Sequence, residues 1–237
     1  MKFLLVIFFS CLLAQSSSCD EKITLFAAAG LYKPVSEITK IFEKEFPGKV
    51  ETFFAGSGDL VGRLKMGIGC DIFLPASIEY FDDLADTDLI VKQTIEGFLT
   101  HTPVLIVNKK SDKVRVFSDL NKNGVRLALG NPKTAAIGKV SYQILALNNI
   151  NTTAFVSAPT VNQLLTYVSL GTCDAAIIWG ELAKQNSYYK IVKIPKNISK
   201  QIAIALTKGG SKRKKAVKFK EYLTSDKSIK IFERRGF

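Results

Sequence analysis

Two short turns in the first quarter of the chain combine small residues with the residue types that bind anions. Residues 23–30 read ITLFAAAG and residues 52–58 read TFFAGSG, and each run passes from a strand-like pattern into a helix-like one. Small side chains let a ligand approach the backbone, and the first N–H groups of the following helix have no acceptor within that helix. The two turns therefore predict a cradle for an anion.

The second half of the chain repeats this arrangement. Residues 128–138, ALGNPKTAAIG, lead from a strand pattern into a helix that is expected to begin near Gly138. Residues 158–163, APTVNQ, lead into another helix, with Thr160 or Asn162 as its N-cap. Helix N-termini from both halves would bring partial positive charge and N–H donors to one point without a formal cation.

The elements that must position these turns alternate along the chain. The predicted strands are residues 23–28, 49–54, 71–75, 102–108, 125–129, 154–156, 174–179 and 201–207. The predicted helices are residues 34–45, 58–66, 78–84, 138–147, 161–169 and 180–185, with a terminal helical region at 211–237. Repeated βαβ units favour parallel sheets with helices on both faces. A crossing near residue 100 and a return near residue 200 predict two lobes joined by hinge strands, with the ligand in the cleft between them.

The N-terminus predicts export. Lys2 precedes an apolar run at 3–13 and a small-residue zone at 14–18, so residues 1–18 are interpreted as a signal peptide. The apolar run is too short to span a membrane, and no later segment is long and apolar enough to do so. The mature chain is expected to be periplasmic or otherwise extracytoplasmic, either soluble or tethered.

Cys19 directly follows this zone and is a candidate for lipid attachment, as in bacterial lipoproteins. Ser16 stands where the lipoprotein motif generally has leucine, so simple cleavage beside Cys19 is the alternative, and Cys11 is a second imperfect candidate. Cys70 and Cys173 each precede an apolar strand in a different lobe. Buried free thiols are favoured there over a disulfide, although exported proteins often pair their cysteines.

Charge and composition indicate binding rather than catalysis. The net charge is +12, but the lysines are spread along the chain, and the cluster at 212–215 has no interleaved aromatic residues, which favours a solvated helix face over a nucleic-acid site. There is one histidine, His101, and no P-loop, GxSxG motif or cluster of metal ligands, so no enzyme and no metal centre is predicted. His101 is expected to be structural, and Asp71 and Asp174 are expected to act in turns.

An ordered set of motifs resembles the molybdate-binding proteins of bacterial ABC importers. The set spans residues 22–237 and comprises FAAAGL at 26–31, FAGSG at 54–58, DIFLPAS at 71–77, GNP at 130–132, AP at 158–159 and IIWG at 177–180. The resemblance implies a type II-like two-lobed periplasmic binding protein, with parallel or mixed sheets. With the signal peptide at 1–18, the predicted lobes are residues 20–100 plus 205–237 and residues 101–204.

The resemblance also implies the ligand contacts. In the family, serine hydroxyls, backbone N–H groups and a tyrosine hydroxyl hold a tetrahedral oxyanion, and by position these contacts become Gly30, Ser57, Ile137, Gln163 and Trp179. Gly30 stands where the family usually has serine, and Trp179 where it usually has tyrosine. Each change removes a hydroxyl donor, although the backbone N–H of Gly30 and the indole N–H of Trp179 can still donate.

The resemblance therefore implies a monomeric solute-binding protein that captures molybdate or tungstate with donor groups only and presents it to an ABC permease of the inner membrane. No cofactor and no nucleic-acid partner is expected. One alternative is the same fold with a different oxyanion, given Gly30 and Trp179. Another is a surface-exposed adhesin, or a protein that binds anionic surfaces through its basic exterior.

Overall fold

The computed structural model describes residues 22–151, 155–184 and 188–237. The predicted signal peptide at 1–18 and the candidates Cys11 and Cys19 lie outside the described residues. Within the described ranges, no helix is long and apolar enough to cross a membrane.

Strands and helices alternate as the sequence predicts. In chain order, the strands are β1 Ile23–Ala28, β2 Val50–Ala55, β3 Ile72–Leu74, β4 Glu96–His101, β5 Pro103–Asn108, β6 Leu127–Gly130, β7 Phe155–Ala158, β8 Ala175–Trp179, β9 Tyr189–Val192 and β10 Lys200–Leu206. The α-helices are α1 Tyr32–Glu45, α2 Ser57–Lys65, α3 Ala136–Leu147, α4 Val161–Ser169, α5 Gly180–Lys184, α6 Lys214–Thr224 and α7 Asp226–Arg234. The helix predicted at 78–84 is a 3-10 helix, Ile78–Leu84.

The strands form two five-stranded sheets with the same internal arrangement. The first has the order β2-β1-β3-β10-β4, and the second has the order β7-β6-β8-β5-β9. In each sheet, neighbouring strands on one side pair in parallel, and the strand that returns from the other half pairs antiparallel with both of its neighbours. The predicted α/β fold with two mixed sheets is confirmed.

The chain passes between the sheets at two closely spaced links. Thr102 alone separates β4, in the first sheet, from β5, in the second. Residues 193–199 lead back from β9 to β10, and the hydroxyls of Thr102 and Ser199 lie within hydrogen-bond distance at 2.7 Å. The lobe boundaries at 20–100 with 205–237 and at 101–204 remain a prediction. The returning strand, β10, pairs with β4 of the first sheet from Lys200 onward.

Equivalent aspartates brace the two sheets at the strand entries. The Thr24 N–H donates to Asp71 Oδ2 at 2.7 Å, and the Arg126 N–H donates to Asp174 Oδ2 at 2.8 Å. Each carboxylate thus ties the entry of β3 or β8 to the neighbouring parallel strand. This is the turn role that the sequence predicts for both aspartates.

The core of each sheet contains strands that are covered on both faces, as parallel strands require. All residues of β8 are buried. Cys70 and Cys173 are free and buried, as predicted, and burial raises the pKa of the Cys70 thiol to about 12.

Candidate ligand-binding site

A small cavity lies where strand ends and helix starts from both halves of the chain meet. Its walls come from the end of β1, the turn before α2, the starts of α3 and α4, and the end of β8. The space open to the centre of a water-sized sphere is about 20 Å³. A single water molecule needs roughly 10–15 Å³ by the same measure. The cavity therefore suits one compact ion of a few atoms and is too small for a sugar or a peptide.

The structure brings most of the predicted contact residues to this cavity. Gly30, Ser57, Ile137 and Trp179 line it. Gln163 does not line it and is exposed, because α4 starts at Val161 and turns its third residue toward solvent. Thr160 and Val161 form that part of the wall instead. Any contribution of Gln163 would come from its backbone N–H in the first helical turn.

Ser57 is held so that its hydroxyl can donate. It is the first residue of α2 and is only 1% exposed. The backbone N–H of Ala76 donates to Ser57 Oγ at 3.0 Å. A hydroxyl has one donor hydrogen and two acceptor lone pairs, so this bond leaves the hydrogen available to a ligand in the cavity.

The space beside Gly30 is filled by apolar side chains from the second half. A β-carbon on Gly30 would lie 3.3 Å from Val161 Cγ1 and 3.6 Å from Leu182 Cδ1. A serine at this position would therefore crowd Val161. The hydroxyl that the family usually has here is replaced by close packing, and Gly30 offers only its backbone N–H.

Other glycines allow the two halves to approach each other. A β-carbon on Gly58 would lie 1.9 Å from Lys133 O, and one on Gly56 would lie 2.2 Å from Thr134 O. The Gly58 N–H donates across the cleft to Thr134 O at 2.9 Å. Gly58 therefore serves the contact between the halves and does not line the cavity.

His101, Trp179 and Glu181 form a layered group on one side of the cavity. The imidazole of His101 stacks on the indole of Trp179, with ring centroids 3.5 Å apart and planes 13° apart. His101 Nδ1 lies 3.2 Å from Glu181 Oε1. All three residues line the cavity and are almost completely buried, with His101 3% and Glu181 4% exposed. The other ring nitrogen, His101 Nε2, is buried and has no hydrogen-bond partner among the described residues.

Sequence reasoning missed His101 and Glu181 as site residues. His101 was expected to be structural, but it ends β4 at the link between the sheets and therefore borders the cleft. Glu181 follows the IIWG motif directly and is the second residue of α5, beside the cavity. The sequence feature that points to them is position: His101 lies next to the predicted chain crossing, and Glu181 lies next to the IIWG motif. Residue type alone does not distinguish a buried structural His–Glu pair from one that binds a ligand.

These two residues also alter the predicted chemistry of the site. The cavity was expected to offer donors only, so that a protonated oxyanion would lack an acceptor. Glu181 carries acceptor oxygens, and one nitrogen of a neutral His101 is an acceptor. No lysine or arginine lines the cavity in the described ranges. Formal positive charge at the cavity wall would therefore have to come from His101.

The sequence matches a known protein family over almost its whole described length. The model of the family "Bacterial extracellular solute-binding protein" matches residues 23–237. The chain belongs to this family. This solute-binding protein is therefore a substrate-binding transport protein of the ABC-importer type and not an enzyme. Its location is extracytoplasmic.

Some of its relatives have names that give a ligand, and others do not. The solute-binding protein is 32% identical over 94% of its length to the Bacillus subtilis protein "Putative ABC transporter substrate-binding lipoprotein YvgL", of which 90% is covered. It is 28% identical over 94% of its length to the Escherichia coli "Molybdate-binding protein ModA", of which 92% is covered. Among solved structures, the periplasmic molybdate-binding protein of Azotobacter vinelandii superposes with a TM-score of 0.77 at 18% identity, covering 90% of this chain and 97% of that one. That last likeness shows the fold.

Proposed function

We propose that this solute-binding protein captures molybdate or tungstate outside the cytoplasm and presents it to the permease of an ABC importer. The observation that carries the proposal is the meeting of strand-to-helix turns from both halves around a cavity of about 20 Å³. The E. coli relative, whose name gives molybdate as its ligand, supports the choice of anion.

The binding mechanism follows from the cavity wall. Ser57, the Gly30 turn and the starts of α3 and α4 present a hydroxyl and backbone N–H groups, and helix N-termini add partial positive charge. Hydrogen bonds to a charged group contribute about 1.5–3 kcal/mol each. Closure of the two halves, through contacts such as Gly58 with Thr134, removes water and strengthens these bonds.

A second candidate is the same fold with a different oxyanion. Two observations favour it. Gly30 lacks a side-chain donor, and His101 Nε2 is buried without a partner among the described residues. In the tautomer with the ring hydrogen on Nδ1, Nε2 would accept a hydrogen bond from a protonated ligand. Phosphate, which keeps a hydroxyl at neutral pH, is the ligand that this alternative predicts.

A thermal-unfolding panel tests the proposal. The mature chain would be heated with molybdate, tungstate, sulfate or phosphate at matched ionic strength, since a ligand that binds only the folded state raises its unfolding temperature. We expect molybdate and tungstate to stabilise at micromolar concentration and sulfate and phosphate much less. Stabilisation by phosphate alone would favour the second candidate, and no response to any anion would reject both.

The site of attachment and the assembly state form part of the proposal. Cys19 would carry a lipid that tethers the exported chain to a membrane, and the chain would act as a monomer without nucleic acid. Mass spectrometry of the N-terminal peptide from the exported protein decides whether Cys19 carries lipid. Light scattering of the purified protein, with and without molybdate, tests the monomer.

A further inference from the structure

We propose that His101 directly contacts the bound anion, and that the anion is bound together with one proton shared among the anion, the His101 ring and the Glu181 carboxyl group. The inference rests on the proposed function, because it specifies how that same site takes an oxyanion. It adds a contact that the sequence motifs do not contain.

The first observation is the buried nitrogen of His101. His101 lines the cavity, is 3% exposed, and has no hydrogen-bond partner for Nε2 within the described residues. Leaving a buried polar atom without a partner destabilises the fold, so native structures rarely do so without a reason. A ligand oxygen in the cavity would supply the partner.

The second observation fixes what Nε2 can do. Nδ1 faces Glu181 Oε1 at 3.2 Å, and the indole of Trp179 stacks on one face of the ring. If Glu181 is ionised and the ring is neutral, Nδ1–H donates to the carboxylate and Nε2 presents a lone pair. A fully deprotonated oxyanion also presents only lone pairs. With the neutral ring in this tautomer, the lone pair of Nε2 therefore repels the anion.

Adding one proton removes the repulsion in each possible arrangement. The ring becomes an imidazolium and donates through Nε2–H, or Glu181 is protonated and donates to Nδ1 while Nε2 carries the ring hydrogen. In the third arrangement, the anion carries the proton and donates to a bare Nε2. All three complexes contain the same number of protons, which is why the proposal concerns the shared proton and not its position.

The lysines of the two elements beside His101, α5 and β10, each bind another group, so the proton is the proposed source of positive charge at the anion. On α5, Glu181 faces Nδ1, and the Lys184 ammonium donates to Gly236 O at 3.2 Å. On β10, Lys200 lies opposite His101 in register, and its ammonium pairs with Glu79. A dianion placed beside the Glu181 carboxylate without a compensating charge would be strongly disfavoured in this buried site. The shared proton supplies that charge.

The proton acts as a second ligand, so the affinity must depend on pH. Where the free protein has released this proton, binding must take it up again. The dissociation constant for molybdate should then rise about tenfold for each pH unit on the alkaline side. The expected direction is tighter binding as the pH falls, down to the pH at which molybdate itself changes form.

The sole histidine of the chain makes the test direct. Ring ¹⁵N signals of the full mature protein would be recorded without anion and with saturating molybdate, and calorimetric titrations would be run across neutral and alkaline pH. We expect the Nε2 signal to move on saturation and the affinity to fall about tenfold per pH unit at the alkaline end. His101→Gln replaces the ring with an amide, which can donate a hydrogen bond but cannot take up a proton, and should weaken this pH dependence.

Glu181→Gln serves as the matched variant, because it keeps a partner for Nδ1 and removes the charge. We expect it to shift the pH dependence while molybdate still binds. Calorimetric binding of molybdate with an unmoved Nε2 signal, or an affinity of the wild-type protein that does not change with pH at the alkaline end, would overturn the inference and leave the proposed function intact. Absence of binding by any oxyanion would instead reject the proposed function, and this inference with it.

Discussion

Gly58 and Lys133 approach each other across the cleft more closely than any residue with a side chain would permit. A β-carbon on Gly58 would lie 1.9 Å from Lys133 O, and the Gly58 N–H donates to the neighbouring Thr134 O at 2.9 Å. The acceptor and the obstructed oxygen both belong to backbone, which cannot rotate away as a side chain can. Closure of the two halves therefore depends on a glycine at this position.

Gly58→Ala should prevent full closure and weaken anion binding. Overpacking of this kind costs about 1–3 kcal/mol, which corresponds to a loss of affinity of roughly fivefold to a hundredfold or more. Gly62→Ala is the matched control, because it lies in the same helix and a β-carbon there meets nothing within 4 Å. Calorimetry should show weaker binding only for Gly58→Ala. Equal affinity in the two variants would mean that this contact is not needed for the bound state.

Ser57→Ala should weaken binding about tenfold or more, because one hydrogen bond to a charged group contributes about 1.5–3 kcal/mol. The control is Ser228→Ala, a buried serine in α7 whose hydroxyl donates to Tyr222 O at 2.6 Å. Both variants lose a buried hydroxyl, but only Ser57 lines the cavity. If a folded Ser57→Ala protein binds as tightly as the control, the hydroxyl does not contact the anion.

Trp179 should report binding by fluorescence. It is the only tryptophan of the chain, it lines the cavity, and it stacks on His101 at 3.5 Å between ring centroids. A change of charge on His101 or closure of the cleft would alter the surroundings of the indole. Emission should change saturably as molybdate is added, with a stoichiometry of about one, as expected for a single cleft. Constant emission during calorimetrically proven binding would show that Trp179 only packs.

Much of the architecture was predictable because its apolar runs are long and buried. The pattern of residues 23–28 predicts β1 with its observed bounds, and residues 161–169 do the same for α4. The sequence does not predict β4 and β9, because each lies at the edge of its sheet with only one buried residue, so neither shows the apolar run that identifies a strand. Edge strands are defined by their neighbours, which lie far away in sequence.

The sequence predicts the site residues that belong to local strand-to-helix turns. It does not predict residues that come together only when distant segments of the chain fold against each other. Gly30, Ser57 and Ile137 follow strand ends, so their places at the cavity follow from strand-to-helix turns. His101 and Glu181 are 80 residues apart, and nothing in either segment shows that they meet. Likewise, the side chain that packs beside Gly30, Val161, comes from the other half of the chain.

Asp119 should stabilise the fold in a pH-dependent way. The Lys122 ammonium, followed by the backbone N–H groups of Arg115 and Val116, lowers the pKa of Asp119 from 3.8 to about 2. A lowered pKa means that the stabilisation is fully present above pH 3.8 and is lost as the pH falls through about 2. The difference in unfolding free energy between wild type and Asp119→Asn should shrink across this window.

The exposed Asp82→Asn is the control for Asp119, measured by denaturant unfolding at each pH. Its difference from wild type should vary less over the same range. A difference for Asp119→Asn that stays constant from neutral to strongly acidic pH would show that its hydrogen bonds do not depend on its charge.

The most direct test of the account is a calorimetric titration of the mature protein with molybdate in the presence of excess sulfate and phosphate. If the site is specific for molybdate, as proposed, molybdate should bind at about one per chain, as expected for a single cleft, with little competition from either anion. Complete displacement of molybdate by sulfate or phosphate, or no heat of binding at all, would contradict the assignment of this site to molybdate.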